Sequence, residues 1–409
     1  MIDVEKIRKD FPILKRKMQG HDLIYFDNAA TTFKPQCVID AVVHYYTELG
    51  ANAHRGDYEL SYLVDSEYEE TRKAVAGFIG TDEKEIVFTS GASASLNQIA
   101  YGYSRFLKQG DVILSCEAEH ASSILPWMRV AEEKGCIIKY IELDEEGRLS
   151  IDSLKQLLLD GKVKVVALAH VTNVLGYEAP MKEICALAHQ AGAIVVMDMA
   201  QSAPHMKINV KDIDCDFAGF SAHKMCGPTG LGVMYGKYEL LSEMEPYMLG
   251  GGSNARFDMC GNLLLKEAPY KYETGTPPIE AVIGFKAALQ YLDQIGMDEI
   301  HAYEKELHEY AIEKLSKLDN ITLYNPHADA CIITFNVKDV FAQDAATFFN
   351  SQGVAVRAGH HCAKLLTQKL QTSATLRASC TFYNTKEEVD RFVDICSQAS
   401  IENCLGVFF

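Results

Sequence analysis

No stretch of this chain approaches the ~18 consecutive apolar residues of a membrane-crossing helix. None of its twelve cysteines forms a Cys-x-x-Cys pair, which argues against a zinc ribbon or a thioredoxin motif. Positive charge is also scarce: 39 Lys and Arg stand against 56 Asp and Glu, a net charge of −17. Such a chain repels nucleic acid and anionic lipid, so neither is expected as a partner. A local basic pocket for a phosphate is still compatible with that balance. The opening, Met1-Ile2-Asp3-Val4-Glu5-Lys6, has no apolar stretch behind a basic start, so no signal peptide is read. These absences imply a cytoplasmic protein with reduced thiols, most of them small buried hydrophobes. There is no internal repeat and no low-complexity linker.

What is present is a long chain of ordinary composition, 409 residues of which 48% are hydrophobic and 23% charged. At roughly 100–200 residues per domain, that length suggests more than one. Apolar runs at Ile86–Thr89, Val112–Ser115, Ile137–Ile141, Val163–Ala169, Ile194–Asp198, Phe217–Ser221 and Gly232–Tyr235 read as strands. Several are continuous, as strands buried on both faces are. Amphipathic stretches separate most of the earlier ones, which predicts a mostly parallel sheet covered by helices, an α/β fold. Beyond Pro277 the pattern changes. Helices are expected from Pro278 to Ile295, Met297 to Leu318, Gln343 to Gln352 and Lys386 to Ser400. Strands are expected at Cys331–Asn336, Val354–Arg357 and Leu376–Ala378. A helix over Asp3–Phe11 and a strand at Leu23–Phe26 open the chain. The expected division is an N-terminal helical segment (1–20), a large α/β domain (21–290) and a smaller α+β domain (291–409).

Lys224 ends the segment Phe217-Ala218-Gly219-Phe220-Ser221-Ala222-His223-Lys224, and Cys226-Gly227-Pro228-Thr229-Gly230 follows as a turn. A lysine just beyond a strand end lies where ligands bind in such sheets. Alone, a lysine in a polar loop is more often solvated. Asp198 ends another apolar strand, with Gln201 one turn later. That is the place for an acid against a pyridine nitrogen, and equally for a helix N-cap. Thr89-Ser90-Gly91-Ala92-Ser93-Ala94 is a small-residue turn opening a helix, a surface that offers N–H groups to a phosphate. Arg357-Ala358-Gly359-His360-His361-Cys362-Ala363 follows a predicted strand. An arginine, two histidines and a nearby helix N-terminus would each favour thiolate over thiol at Cys362. Adjacent residues point in different directions, so a metal site at His-His-Cys is not favoured.

In this order, the phosphate turn, the acid and the lysine resemble the fold-type I enzymes of pyridoxal phosphate (PLP), and more narrowly the class V aminotransferase family. The resemblance spans essentially the whole chain. It extends over Tyr25-Phe26-Asp27-Asn28-Ala29-Ala30-Thr31-Thr32, Asn52-Ala53-His54-Arg55-Gly56, Ala118-Glu119-His120-Ala121-Ser122, His170-Val171-Thr172-Asn173-Val174-Leu175-Gly176 and Glu273-Thr274-Gly275-Thr276-Pro277. The Arg-x-Gly-His-His-Cys segment resembles the SUF-type, or group II, cysteine desulfurases. That resemblance implies PLP carried on Lys224 and L-cysteine as substrate, with Cys362 taking its sulfur as a persulfide and alanine released. It implies that His120 stacks on the ring and assists proton transfer, that Asp198 meets the ring nitrogen and that Gln201 bonds the ring oxygen. The phosphate falls to Gly91, Ala92, Ser93, Ser221, His223 and Thr276, the last donated across a homodimer. Ala29, Asn173, Arg357 and Arg377 (in Leu376-Arg377-Ala378-Ser379) take the substrate side. A sulfur-acceptor or scaffold protein feeding iron–sulfur cluster or thio-cofactor assembly is the implied partner. The pattern departs at Val340-Phe341-Ala342-Gln343-Asp344. Gln343 stands where a partner-facing histidine is expected, which leaves the acceptor's identity open. A related lyase acting on selenocysteine or releasing sulfide, and a non-catalytic scaffold of the same fold, are the competing readings.

Overall fold

The computed structural model describes residues 2–54 and 56–407; Arg55 of the Asn52–Gly56 segment lies outside them. Seven strands form the central sheet, at the expected places. Their order is Ile86–Thr89, Gly232–Gly236, Phe217–Ser221, Ile194–Asp198, Val163–Ala169, Val112–Cys116, Ile137–Ile141. Gly232–Gly236 runs antiparallel to both neighbours, and the other adjacent pairs are parallel. The reason lies in the connection. A parallel crossover needs a dozen or more residues, and only residues 222–231 join Phe217–Ser221 to Gly232–Gly236. Runs such as Val163–Ala169 are buried along nearly their whole length, which is why they carry no polar alternation.

One close approach shapes the sheet edge. A Cβ on Gly232 would fall 2.3 Å from Gly91 Cα, and Gly91 itself has φ +154°. Only glycine serves at either place, and the pair lets the helix Ala92–Tyr103 start directly over the strand ends.

A second sheet is fully antiparallel, in the order Ile321–Leu323, Ile332–Val337, Thr375–Ser379, Arg357–Gly359. Phe335, Phe349, Phe392 and Leu307 pack its core with the helices Met297–Leu315, Ala342–Ser351 and Lys386–Gln398. The buried face of Ile279–Ile295 belongs instead to the first core, which Met297 and Ile300 continue. Among the described residues no helix is long and apolar enough to cross a membrane.

Three elements differ from expectation. The predicted strand Val354–Arg357 is two short strands. Val354–Ala355 pairs in parallel with Ile24–Tyr25, whereas Arg357–Gly359 joins the second sheet beside Thr375–Ser379. One apolar run thus serves two edges, burying Val354 and leaving Arg357 exposed. The first helix is Val4–Arg8, capped by the Asp3 carboxylate on Lys6 N–H. It stops early because Pro12 keeps Phe11 out of the helical region. A hairpin, Asn254–Phe257 with Leu263–Leu265, occupies a stretch for which no element was expected.

One buried ion pair ties the helix Glu59–Ile79 to the segment after the hairpin. Arg72, 1% exposed, donates from Nη1 and Nη2 to Glu273 at 2.6 and 2.9 Å and to the Ile86 carbonyl at 2.9 Å. Glu273 also accepts from Phe88 N–H and Tyr68 Oη. Removing one partner of a buried pair leaves an uncompensated charge. Arg72→Met is therefore expected to destabilise the fold by about 3–5 kcal/mol, read as a lowered midpoint in urea unfolding; an unchanged midpoint would contradict it.

Candidate active site

The carboxyl ends of the parallel strands converge on a cavity of about 210 Å³, where open α/β sheets bind ligands. Ala169, Asp198 and Ser221 end three strands there. The helix starts at Ala92–Ser93 and at His120, the N-cap of Ala121–Lys134, supply another wall. Ala29 and Ala30 come from the N-terminal segment, Arg377 and Arg357 from the second sheet, and His361 and Cys362 from the loop after it.

Lys224 is the lysine that lines this cavity. Burial pushes its amine down to about 8, against the pull of Asp198 and Asp27 and with the help of Arg377 and Arg357. Such an amine is available as a nucleophile or base near neutral pH. Burial raises the Asp198 carboxyl, while the Ala200 N–H at 2.8 Å and Lys224 hold it down. The His120 Nδ1 accepts from Ser122 N–H at 3.1 Å. Burial, then Lys224, Arg377 and Arg357, depress His120 to about 4, so its ring is neutral. His223 is likewise pushed to about 4 by burial and Lys224, and its Nδ1 meets Thr31 Oγ1 at 3.1 Å.

Around these groups several buried polar atoms have no protein partner. Gln201 donates from Nε2 to the Ala29 carbonyl at 2.9 Å, and its Oε1 is unpaired. Asn173 donates from Nδ2 to the His361 carbonyl at 2.7 Å, and its Oδ1 is unpaired. Arg377, 2% exposed, donates to the Asn173 carbonyl at 2.8 Å and to Asp27 Oδ1 at 3.3 Å; its Nε is unpaired. Burial lowers this guanidinium to about 10, so it keeps its charge at neutral pH. Buried polar groups in folded proteins are normally satisfied. With the unpaired Nδ1 of His361, four orphans around one cavity mark the place of a polar ligand.

Ser221 Oγ accepts from Ala92 N–H at 2.7 Å, and Ser93 Oγ lies 2.6 Å from Ser122 Oγ. Hydroxyls and a helix N-terminus at one end of the cavity suit a phosphate. At the other side, a buried acid and a depressed lysine suit a pyridine ring bearing an aldehyde. The donor set and its orphaned atoms therefore fit PLP.

Cys362 is exposed on the rim. It and His361 have φ of +59° and +50°, left-handed conformations that cost a non-glycine residue roughly 1–2 kcal/mol each. The loop is held by the Cys362 carbonyl, which accepts from Ala121 N–H at 2.7 Å. The helix N-terminus beside Cys362 is therefore that of Ala121–Lys134, and it engages the backbone. His361 does not play the expected part. Its ring is buried, with Nε2 3.0 Å from Thr375 Oγ1, and burial with Arg377 pushes it to about 3. It is neutral and brings no positive charge to the thiol.

Of the expected residues, Ala29, Ala92, Ser93, His120, Asn173, Asp198, Gln201, Ser221, His223, Lys224, Arg357, Cys362 and Arg377 all line the cavity. Two do not. Gly91 lies behind the helix start, where its role is the close approach to Gly232. Thr276 lies away from this chain's own cavity, its Oγ1 facing Asn52 Nδ2 at 3.5 Å. Ala30, Ser122, Ala169, Val171, Ala200 and His361 line it without having been assigned to it. Ala30, Ser122, Val171 and His361 sit inside the motif segments, and the polar residue types of Ser122 and His361 were the available signal.

A family profile described as aminotransferase class-V matches residues 24–392. A probable cysteine desulfurase of Halalkalibacterium halodurans is 44% identical over 393 residues, covering 95% of this chain and 96% of its own. A cysteine desulfurase of Haloferax volcanii is 42% identical over 415 residues, covering 97% of each. The apo structure of a cysteine desulfurase from Thermococcus onnurineus NA1 superimposes with a TM-score of 0.92 at 38% identity. That match covers 97% of this chain and 98% of the other. With its sheet order, its lysine just beyond the strand that neighbours the one ending in Asp198, and near end-to-end similarity to these relatives, this chain belongs to the class-V aminotransferase family.

Proposed function

We propose that this chain is a PLP-dependent cysteine desulfurase that converts L-cysteine to L-alanine and leaves a persulfide on Cys362. The observation that carries the reading is one cavity that holds Lys224, Asp198 and Arg377 with the exposed thiol of Cys362 at its rim. Relatives named as cysteine desulfurases match over almost the full chain. Lys224 would hold PLP, with Asp198 available to its ring nitrogen, Gln201 to its ring oxygen and Ala92, Ser93, Ser221 and His223 to its phosphate. When bound, it supplies an electron sink beside the substrate's Cα. Arg377 binds the substrate carboxylate with its unpaired Nε and its fork, and Asn173 Oδ1 orients the amino acid. The Lys224 amine removes the Cα proton. Cys362 Sγ attacks the substrate sulfur, so that one S–S bond forms as the substrate's C–S bond breaks. The carbon left behind takes a proton, and L-cysteine plus the Cys362 thiol become L-alanine plus Cys362–S–SH. His120, neutral in the same cavity, would stack on the cofactor and pass protons.

The enzyme is a cytoplasmic homodimer of the SUF type, with Thr276 completing the neighbour's phosphate site and sulfur passing to an acceptor for iron–sulfur cluster or thio-cofactor assembly. Gln343, exposed at the start of the helix Ala342–Ser351, offers that acceptor no imidazole. Residues 1–20, 21–290 and 291–409 are proposed as its structural divisions, the last carrying Cys362.

The deciding experiment incubates the holoenzyme with L-cysteine. Alanine should form, and the peptide bearing Cys362 should gain the mass of one sulfur atom; alanine formed without that adduct would refute the assignment. The lysine makes a separate prediction. Only a neutral amine attacks an aldehyde, and Lys224 is lowered from 10.5 to about 8. The rate of PLP uptake by the apoprotein should therefore rise with pH and level off above about 8. Stopped-flow absorbance checks this, and a rise continuing to pH 10 would contradict it.

A further inference from the structure

The geometry points to a second, buried sulfur site: Cys331 and Cys380 form a dithiol that a peroxide oxidises to an intramolecular disulfide. The antiparallel register Ile332↔Ser379 sets Cys331 opposite Cys380, and the Cys380 N–H bonds the Cys331 carbonyl at 3.0 Å. Residues so paired have Cα atoms about 5.5 Å apart, inside the range that a disulfide spans. Their side chains leave the strands on one face and share the core of the second sheet. They are 3% and 2% exposed.

A base and an entry route accompany the pair. His308, 3% exposed, stands beside Cys331, and neither of its ring nitrogens has a hydrogen-bond partner. Cys380, together with His308, holds the Cys331 thiol below its ordinary range against the effect of burial. Burial pushes the thiols of Cys116, Cys185, Cys215 and Cys226 up instead. Cys331 also lines a void of about 10 Å³, room for about one water-sized molecule. That void shares Met206 and His301 with an exposed groove, and Val171 and Gln201 with the active-site cavity. Hydrogen peroxide is small enough to use it.

The chemistry balances without another reactant. Cys331 attacks one peroxide oxygen; the O–O bond breaks, Cys331 becomes the sulfenic acid and water leaves. The Cys380 sulfur then attacks Cys331 Sγ, the S–O bond breaks and a second water leaves. His308 takes the proton from Cys331 and returns one to the departing oxygen. Two thiols and one peroxide become one disulfide and two waters. Nothing in this site overlaps Cys362, whose thiol takes sulfur at the cavity rim.

The test treats the reduced holoenzyme with hydrogen peroxide, alkylates it in acid denaturant and maps its peptides by mass spectrometry. The expected product is a linked peptide pair containing Cys331 and Cys380, two hydrogens lighter than the free pair and reversed by dithiothreitol. The Cys362→Ala holoenzyme, which lacks the exposed competitor, should give the same link. In Cys380→Ser the link disappears, and Cys331 is trapped as the sulfenic acid by a dimedone-type reagent. Peroxide treatment that leaves Cys331 and Cys380 fully alkylatable in wild type, or that over-oxidises Cys331 without the link, overturns the proposal.

Discussion

Lys224→Ala is expected to abolish the visible absorption of the holoenzyme and to lower alanine formation from L-cysteine by roughly 10²–10⁴-fold or more, the usual worth of a positioned acid–base group, with loss of the covalent hold on the cofactor added to it. Among the described residues no other lysine lines the cavity to supply an amine. Lys34 is the nearest rival, and burial lowers it to about 8 as well. Its Nζ, however, donates to Thr31 Oγ1 and to the carbonyls of Thr32 and His223. It braces the backbone that presents Lys224 and does not line the cavity. The substitution also removes a cation that depresses His120 and His223. Both should then titrate closer to the ordinary histidine range, a shift that NMR of labelled imidazoles would read. Small primary amines added to the variant have a vacant space at the former Nζ and should restore part of the visible absorption. A variant that keeps wild-type absorbance would sink the assignment of this lysine.

The parts of the fold that were legible in sequence are those where burial writes a pattern. Val163–Ala169 and Phe217–Ser221 are covered on both faces, so they read as unbroken apolar runs bounded by turns. The hairpin Asn254–Phe257 with Leu263–Leu265 buries little, leaving Phe257, Leu263 and Leu264 exposed. Exposed strands have no core face to impose alternation, so nothing announced them. Val354–Arg357 misled for the opposite reason: two different partners take up halves of one run, and pairing is not encoded locally. The passage from the first core to the second falls within Met297–Leu315, between Ile300 and Leu307, with no glycine or proline to punctuate it.

The site divides along the same line. Asp198, Ser221 and Lys224 follow from strand ends, since parallel strands deliver their last residues to one edge. His361 illustrates what a linear motif hides. Two adjacent histidines read as two sources of positive charge, yet the left-handed turn at His361 and Cys362 drives one ring inward to Thr375. Burial then discharges it. A residue's charge belongs to its surroundings, and these came from a strand fourteen residues further on.

Cys362→Ala should retain the visible absorption and PLP affinity of the wild type while alanine formation from L-cysteine falls to less than about 1%, as expected when a nucleophile is removed from a group that acts as a unit. The two halves of the expectation have separate structural causes. Cofactor retention follows because Lys224, Asp198, Gln201 and the Ala92–Ser93 helix start lie on the first sheet's strand ends. Cys362, exposed on a loop held by its own backbone carbonyl, is not among the groups that hold it. Loss of turnover follows because, among the described residues, no other cysteine lines the cavity. Cys37 and Cys260, also exposed, lie on the helix Gln36–His44 and at the turn of the Asn254–Leu265 hairpin. Alanine keeps the backbone clash of the left-handed position, whereas Cys362→Gly relieves it. The glycine variant should therefore be equally inactive and more stable by about 1 kcal/mol or less, which separates the thiol's chemistry from the loop's strain. A Cys362→Ala enzyme that still forms alanine at the wild-type rate would mean that the sulfur leaves without ever resting on this residue. The chain would then hand that sulfur directly to an external thiol, which becomes the persulfide as the substrate's C–S bond breaks, with Lys224 and not Cys362 carrying the reaction.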